Sequence, residues 1–167
     1  LLAGEKIGAI FAGRMEFGPR ALGNRSILAN PSKGAVNDQL NRRLERTEFM
    51  PFAPVVNATH GPKVFDITSV NAYACRFMTV SCDVNPEWRE RIPAVTHIDG
   101  SARPQMIERA SNPLYFDILG SFHAKTGLPV LVNTSFNVHG EPIVNRPEES
   151  LRALQYGRVD FVATSKG

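Results

Sequence analysis

Cysteine is nearly missing from this chain, with Cys75 and Cys82 the only two in 167 residues. Their spacing fits neither a zinc-ligand pattern nor a CxxC redox motif, so a disulfide framework is excluded and both read as reduced, buried thiols of a cytosolic protein. No stretch approaches the roughly 18 apolar residues of a membrane span, and nothing at the start resembles a signal peptide. Long runs of one charge are also missing: the net charge is +3, and the densest basic spot, Asn41 to Arg46, is interrupted by Glu45. A nucleic-acid arm is therefore not indicated. No GxxxxGK[ST] occurs, so any nucleotide is held by something other than a Walker P-loop. Internal repeats, low-complexity segments and flexible linkers are absent. The chain opens on Leu1-Leu2-Ala3-Gly4 without an initiator methionine and reads as a piece cut from a longer protein.

What is present is enough for one full core. At 43% hydrophobic, residues 1–167 are expected to form a single domain. Ile7 to Ala12 and Ser26 to Pro31 read as short strands, and Gly34 to Arg46 as an amphipathic helix with apolar positions about four apart. Thr47 to Val56, punctuated by Pro51 and Pro54, reads as an edge or bulged strand. Tyr73 to Cys82 alternates as a long strand would, and Ala94 to Arg103 reads as a strand followed by a polar turn. Asn112-Pro113 opens a helix that Gly127 stops. Leu128 to Val132 is a buried strand, Pro147 to Leu154 a helix capped by Gly157, and Val159 to Ala163 a last strand. Interleaved helices and strands place the chain in the α/β or α+β class with a mixed sheet, and α/β is the expectation adopted.

Three polar constellations punctuate these elements. Gly13-Arg14-Met15-Glu16-Phe17-Gly18-Pro19-Arg20-Ala21-Leu22-Gly23-Asn24-Arg25-Ser26 sets three arginines, one carboxylate and three glycines in a short span. Guanidinium groups offer paired donors to phosphate or carboxylate oxygens, and glycines let a backbone approach a ligand, so the stretch suits an anion. Its plainer reading is a Gly-Pro turn with solvated arginines. Asn133-Thr134-Ser135-Phe136-Asn137 follows the buried strand, where α/β proteins tend to place ligand groups; the alternative is a turn held by its own side chains. In His97-Ile98-Asp99-Gly100-Ser101-Ala102-Arg103, His97 and Asp99 could form a base and its orienter, although no ligand spacing recurs and no metal site is assigned. Arg103 is the stronger functional candidate there.

Together with Pro51-Phe52-Ala53-Pro54 and the continuation Val138-His139-Gly140-Glu141-Pro142-Ile143, these motifs resemble, in order and over nearly the whole chain, the C-terminal domain of carbamoyltransferases of the NodU/CmcH type. Thr134-Ser135-Phe136-Asn137 also looks like the Thr-Ser-Ala-Asn motif of YrdC proteins. The resemblance implies an α/β fold with a YrdC-like twisted mixed sheet and flanking helices. It implies a domain that takes ATP, with Mg²⁺, and carbamoyl phosphate as co-substrate, makes carbamoyl adenylate, and serves an O-carbamoyltransferase. The N-terminal transferase domain, which carries its own metal and passes the carbamoyl group to an acceptor hydroxyl, is absent from this sequence. That domain and small-molecule substrates are the expected partners, without membrane or nucleic acid. A homodimer through the full-length protein is compatible with the resemblance.

The residues assigned to catalysis are Arg20, Arg103 and Ser135, with Arg46, Asn137, Arg14, Thr134 and Asn133 for nucleotide and phosphate binding. Glu16 is expected to hold Arg14 or Arg20, or to balance charge. Two departures from the family stand out: the lysine common just before the arginine matching Arg46 is replaced by Leu44 and Glu45, and His139 stands where Arg or Lys is usual. The alternatives are an RNA-binding YrdC-like module and a degenerate docking domain without catalysis.

Overall fold

The structure, a computed structural model, describes residues 1–46 and 51–165. Strands β1 (Gly8–Phe11), β2 (Ser26–Ala29), β3 (Ala53–Asn57), β6 (Gln105–Ile107), β7 (Val130–Ser135) and β8 (Phe161–Thr164) form one sheet in the order β6-β3-β7-β2-β1-β8. Two pairs, β1 with β8 and β3 with β6, are parallel; the other three are antiparallel, so the sheet is mixed as expected. The short strands β4 (Cys82–Asp83) and β5 (Ser101–Ala102) pair separately.

Local chemistry explains the helices. In α5 (Pro113–Thr126) the Asn112 side chain accepts the Tyr115 N–H at 3.1 Å, proline occupies the first turn, and Gly127 closes the helix at φ 71°. Tyr115, Leu119 and Phe122, spaced to lie on one face, are buried, and the helix packs on β3 and β7. Helix α1 (Ala35–Arg43) buries Leu40, and Leu44 one turn on continues the same stripe. Helix α6 (Pro147–Gln155) packs on β8. Three further helices, α2 (Gly61–Val64), α3 (Ala72–Cys75) and α4 (Pro86–Arg89), are single turns.

Three readings of the sequence are corrected. The strand around Pro51 to Val56 is not at an edge: β3 runs between β6 and β7 with all five residues buried, and Pro54 sits near its start, where a missing N–H disturbs the ladder least. Thr47 to Met50, the rest of that expectation, lie outside the described residues. Tyr73 to Cys82 is not a long strand but α3 followed by a turn, and only Cys82 enters β4. Cys75 and Met78 point inward while Tyr73 and Phe77 are exposed, so an i, i+3 pattern had passed for alternation. Ala94 to Arg103 begins with a 3₁₀ turn at Pro93–Val95, and only Ser101–Ala102 is strand. The two thiols are both buried and form no disulfide; they share a hydrogen bond at 3.5 Å. No helix among the described residues is long and apolar enough to cross a membrane.

Candidate active site

The glycine-arginine stretch becomes the loop between β1 and β2, and its shape is set by Glu16. One oxygen of that carboxylate, Oε1, accepts the backbone N–H groups of Leu22 at 2.7 Å, Asn24 at 2.7 Å and Arg25 at 3.2 Å. Glu16 therefore holds neither Arg14 nor Arg20 by a hydrogen bond, which corrects the first of the two expectations for it; it gathers the loop by its amides. Arg25, which the sequence left unassigned, turns inward and is 3% exposed. Its guanidinium donates to the carbonyls of Ala12, Gly13 and Asn24 and lies 3.7 Å from the Phe11 ring centre. Burial lowers its proton affinity, and the nearby Glu16 charge offsets part of that.

Gly23 is where the loop touches the core. It sits at φ +117°, and a Cβ there would lie 2.1 Å from the Tyr115 ring, so only glycine lets the loop close down on α5. Gly23 N–H in turn donates to Ser26 Oγ at 2.9 Å.

The braced loop presents Arg20 to a cavity of about 100 Å³ that Arg46, Arg103, Asn133, Thr134 and Ser135 also line. Each arrives from a different part of the fold: Arg46 from beyond α1, Arg103 from between β5 and β6, and the polar triplet from the end of β7. The sequence placed this cluster after the strand; β7 in fact runs through Ser135. Arg46 Nη2 donates to Thr134 Oγ1 at 3.0 Å, and its guanidinium stands 5.2 Å from the Phe52 ring centre. Burial lowers the proton affinity of Arg46. Burial, and then the charge of Arg20, lowers that of Arg103. Arg103 Nε is buried without a hydrogen-bond partner. No acidic residue lines the cavity among the described residues. Three cations crowded together, two of them desolvated, form a receptacle for negatively charged oxygen.

Two assigned residues lie elsewhere. Arg14 is exposed and does not line the cavity; only its carbonyl is engaged, by Asn24 Nδ2 at 2.9 Å. Asn137 lies one hydrogen bond away, accepting from Ser135 Oγ at 2.5 Å, and faces a neighbouring groove of about 400 Å³. His97 and Asp99 share no hydrogen bond, and neither lines the cavity. Asp99 Oδ1 accepts from the N–H and hydroxyl of Ser101, and His97 Nδ1 meets the same hydroxyl at 3.0 Å, so the group ties a turn leading to Arg103. Those bonds from Ser101 hold the Asp99 carboxyl below its ordinary range. Gln105, which nothing in its sequence context singles out, joins the site from β6: Nε2 donates to Leu22 O at 2.9 Å and Oε1 accepts from Asn133 Nδ2 at 2.7 Å. Among the described residues no three His, Cys, Asp or Glu side chains gather as metal ligands would.

Nodulation protein U of Rhizobium tropici is 39% identical over 162 residues, covering 97% of this chain and 27% of the relative. Nodulation protein NolNO of Sinorhizobium fredii is 42% identical over 134 residues, covering 80% of this chain and 20% of the relative. The chain thus spans about a quarter of the length of such relatives. The crystal structure of full-length HypF in the phosphate- and nucleotide-bound form superposes with a TM-score of 0.65 at 22% identity, over 97% of this chain and 23% of that one, a likeness of fold. The family model described as Carbamoyltransferase C-terminus matches residues 1–166, and the chain belongs to that family.

Proposed function

We propose that this domain activates a carbamoyl group for O-carbamoyl transfer, using ATP and carbamoyl phosphate to form carbamoyl adenylate. The observation that carries the reading is the convergence of Arg20, Arg46 and Arg103 on one small cavity with no carboxylate among the described lining residues. At about 100 Å³ the cavity is smaller than the roughly 300 Å³ or more of drug-sized pockets, which suits a phosphate or carbamoyl group and leaves the nucleoside outside. The HypF neighbour was solved with phosphate and nucleotide, the ligand class assigned here.

The chemistry follows from charge. Water attacks the phosphorus of carbamoyl phosphate; the P–O bond to the carbamoyl oxygen breaks, giving inorganic phosphate and a carbamate. A carbamate oxygen attacks the α-phosphorus of ATP; the O–P bond forms as the α–β bridging bond breaks, and pyrophosphate leaves with the electron pair. Arg20 and Arg103 clamp the oxyanions, Arg46 is held against Thr134 as a third cation, and Ser135, oriented by Asn137, contacts the carbamoyl group. Such a step depends on alignment and charge stabilisation. With no carboxylate lining the cavity among the described residues, Mg²⁺ would enter on the phosphates of ATP. Transfer to an acceptor hydroxyl is assigned to the N-terminal domain of the longer polypeptide.

The test is pyrophosphate exchange into ATP by the full polypeptide, dependent on carbamoyl phosphate. Arg103→Ala should reduce it at least a hundredfold without loss of fold, and unchanged exchange would defeat the assignment.

A further inference from the structure

Helix α1 ends in a backbone shape that its own sequence does not favour. Leu44 N–H donates to Leu40 O at 2.9 Å, Glu45 N–H to Arg42 O at 3.3 Å and Arg46 N–H to Asn41 O at 2.9 Å, the bond pattern of a helix stop whose next residue turns left-handed. That residue is Glu45, at φ +55°, where glycine is usual. A side chain in such a position persists only where its surroundings hold it there.

The holding groups come from the far end of the sequence. Arg158 stands just past α6, whose own stop is the same pattern built on Gly157, with Arg158 N–H bonded to Ala153 O at 2.9 Å. From there its guanidinium reaches the carbonyl end of α1, which favours a cation. Nη1 donates to the carbonyl of Arg43 at 2.7 Å, and Nη2 pairs with the Glu45 carboxylate. His139 N–H takes the carbonyl of Leu44 at 2.9 Å. Arg43, Leu44 and Glu45 are thus each fastened from outside the helix, and the next residue is Arg46, whose Nη2 reaches Thr134 Oγ1 in the cavity.

We propose that Arg158 and Glu45 form a positioning pair that sets where Arg46 enters the cavity. Neither residue lines the cavity, so both act through Arg46. The inference rests on the oxyanion-binding role given to the cavity above. The Glu45 that departs from the family pattern is then an anchor rather than a lost cation. Removing a carboxylate near a cationic cavity would, by charge alone, tighten anion binding. Because the pair places Arg46, Glu45→Gly weakens it instead, although glycine suits the left-handed position and keeps the fold.

Binding of inorganic phosphate to the full polypeptide, measured by calorimetry, is the test. Arg46→Ala is expected to weaken it by about tenfold or more, Glu45→Gly by about threefold or more, and Arg158→Met, which loses both contacts, by about tenfold. The Tm of Glu45→Gly should be unchanged or raised, since an exposed ion pair adds little and the left-handed strain is relieved. In the Arg46→Ala background neither second substitution should weaken binding further by more than about twofold. Unchanged or tighter binding in Glu45→Gly, or losses that multiply with that of Arg46→Ala, overturns the positioning pair and leaves the proposed function standing. Should Arg158→Met fail to fold, Glu45→Gly, alone and combined with Arg46→Ala, still decides the question. Absence of carbamoyl-phosphate-dependent exchange, with these effects on phosphate intact, defeats the proposed reaction and keeps the pair. Unchanged binding in Arg46→Ala, or no phosphate binding by the unsubstituted protein, overturns the pair together with the role of Arg46 in that reaction.

Discussion

Arg20 and Arg103 come from separate loops to line one cavity, where the positive charge of Arg20 adds to burial in lowering the proton affinity of Arg103. Because the guanidiniums stay charged near neutrality, the folded protein carries an unrelieved repulsion that an anion would cancel. Saturating inorganic phosphate should therefore stabilise the protein by about 2–3 kcal/mol at a hundredfold excess over its Kd, a rise in Tm of roughly 5–10 °C for a chain of this size. Arg103→Ala should lose most of that shift, while being no less stable without phosphate. Thermal melts with and without phosphate decide it; the same shift in the variant would show that phosphate binds elsewhere.

Glu16 acts on the loop rather than on any ligand, through three backbone amides gathered on one oxygen. Glu16→Ala should cost about 2–4 kcal/mol of stability, since charge-assisted bonds are strong and share one acceptor. Exchange activity should drop tenfold or more because Arg20 is no longer placed. Glu16→Gln keeps one acceptor oxygen and should recover part of both. Equal damage from the two substitutions would mean that the negative charge, not the acceptor geometry, is what the loop needs.

The contact of Gly23 with Tyr115 leaves no room for a methyl group. Gly23→Ala combines an unfavourable φ of +117° with a Cβ 2.1 Å from the ring, so a loss of about 2–5 kcal/mol is expected. Denaturant melts would measure it. Tyr115→Leu in the same chain should restore part of the loss by removing the ring, and no restoration would place the strain in the backbone alone.

Cys75 and Cys82 should be inert in the folded state. Burial, joined by the contact with Cys75 and by the charges of Asp66 and Asp83, pushes the Cys82 thiol up to about 12. Burial raises Cys75 too. A thiol reagent at pH 8 should label both only on unfolding. Unfolded thiols ionise near pH 8.5 and the folded ones do not, so the folded state binds more protons above that pH. The stability the thiols provide is complete below about pH 8.5 and declines as pH rises toward the folded value, by at most about 1.4 kcal/mol per unit per thiol. Denaturant melts at pH 8 and pH 10, compared with Cys82→Ala, would detect the difference in slope.

How much the sequence disclosed depended on whether the signal was local. Asn112, Pro113 and Gly127 cap α5 by contacts within a few residues, so its limits were legible, and the same holds for α6. Tyr115, the residue of α5 against which Gly23 closes, gives no such signal, because a tyrosine between Leu114 and Phe116 carries no mark of which face it takes. The prolines near β3 point in sequence to an edge or bulged strand because they are local, whereas its neighbours β6 and β7 come from the other half of the chain. In the site, the motif arginines and the β7 triplet were readable as residue types, but Arg14 and Arg20 look alike in sequence and only the folded loop separates them. Gln105 left no trace, since its role exists only where β6, β7 and the β1–β2 loop meet.

Asn133, Thr134 and Ser135 lie on β7, which is flanked on both sides by other strands, whereas Arg20, Arg46 and Arg103 ride on connecting segments. Warming will loosen the cationic walls before it disturbs the floor. A preparation can then pass every spectroscopic check of foldedness and still let its substrate slip.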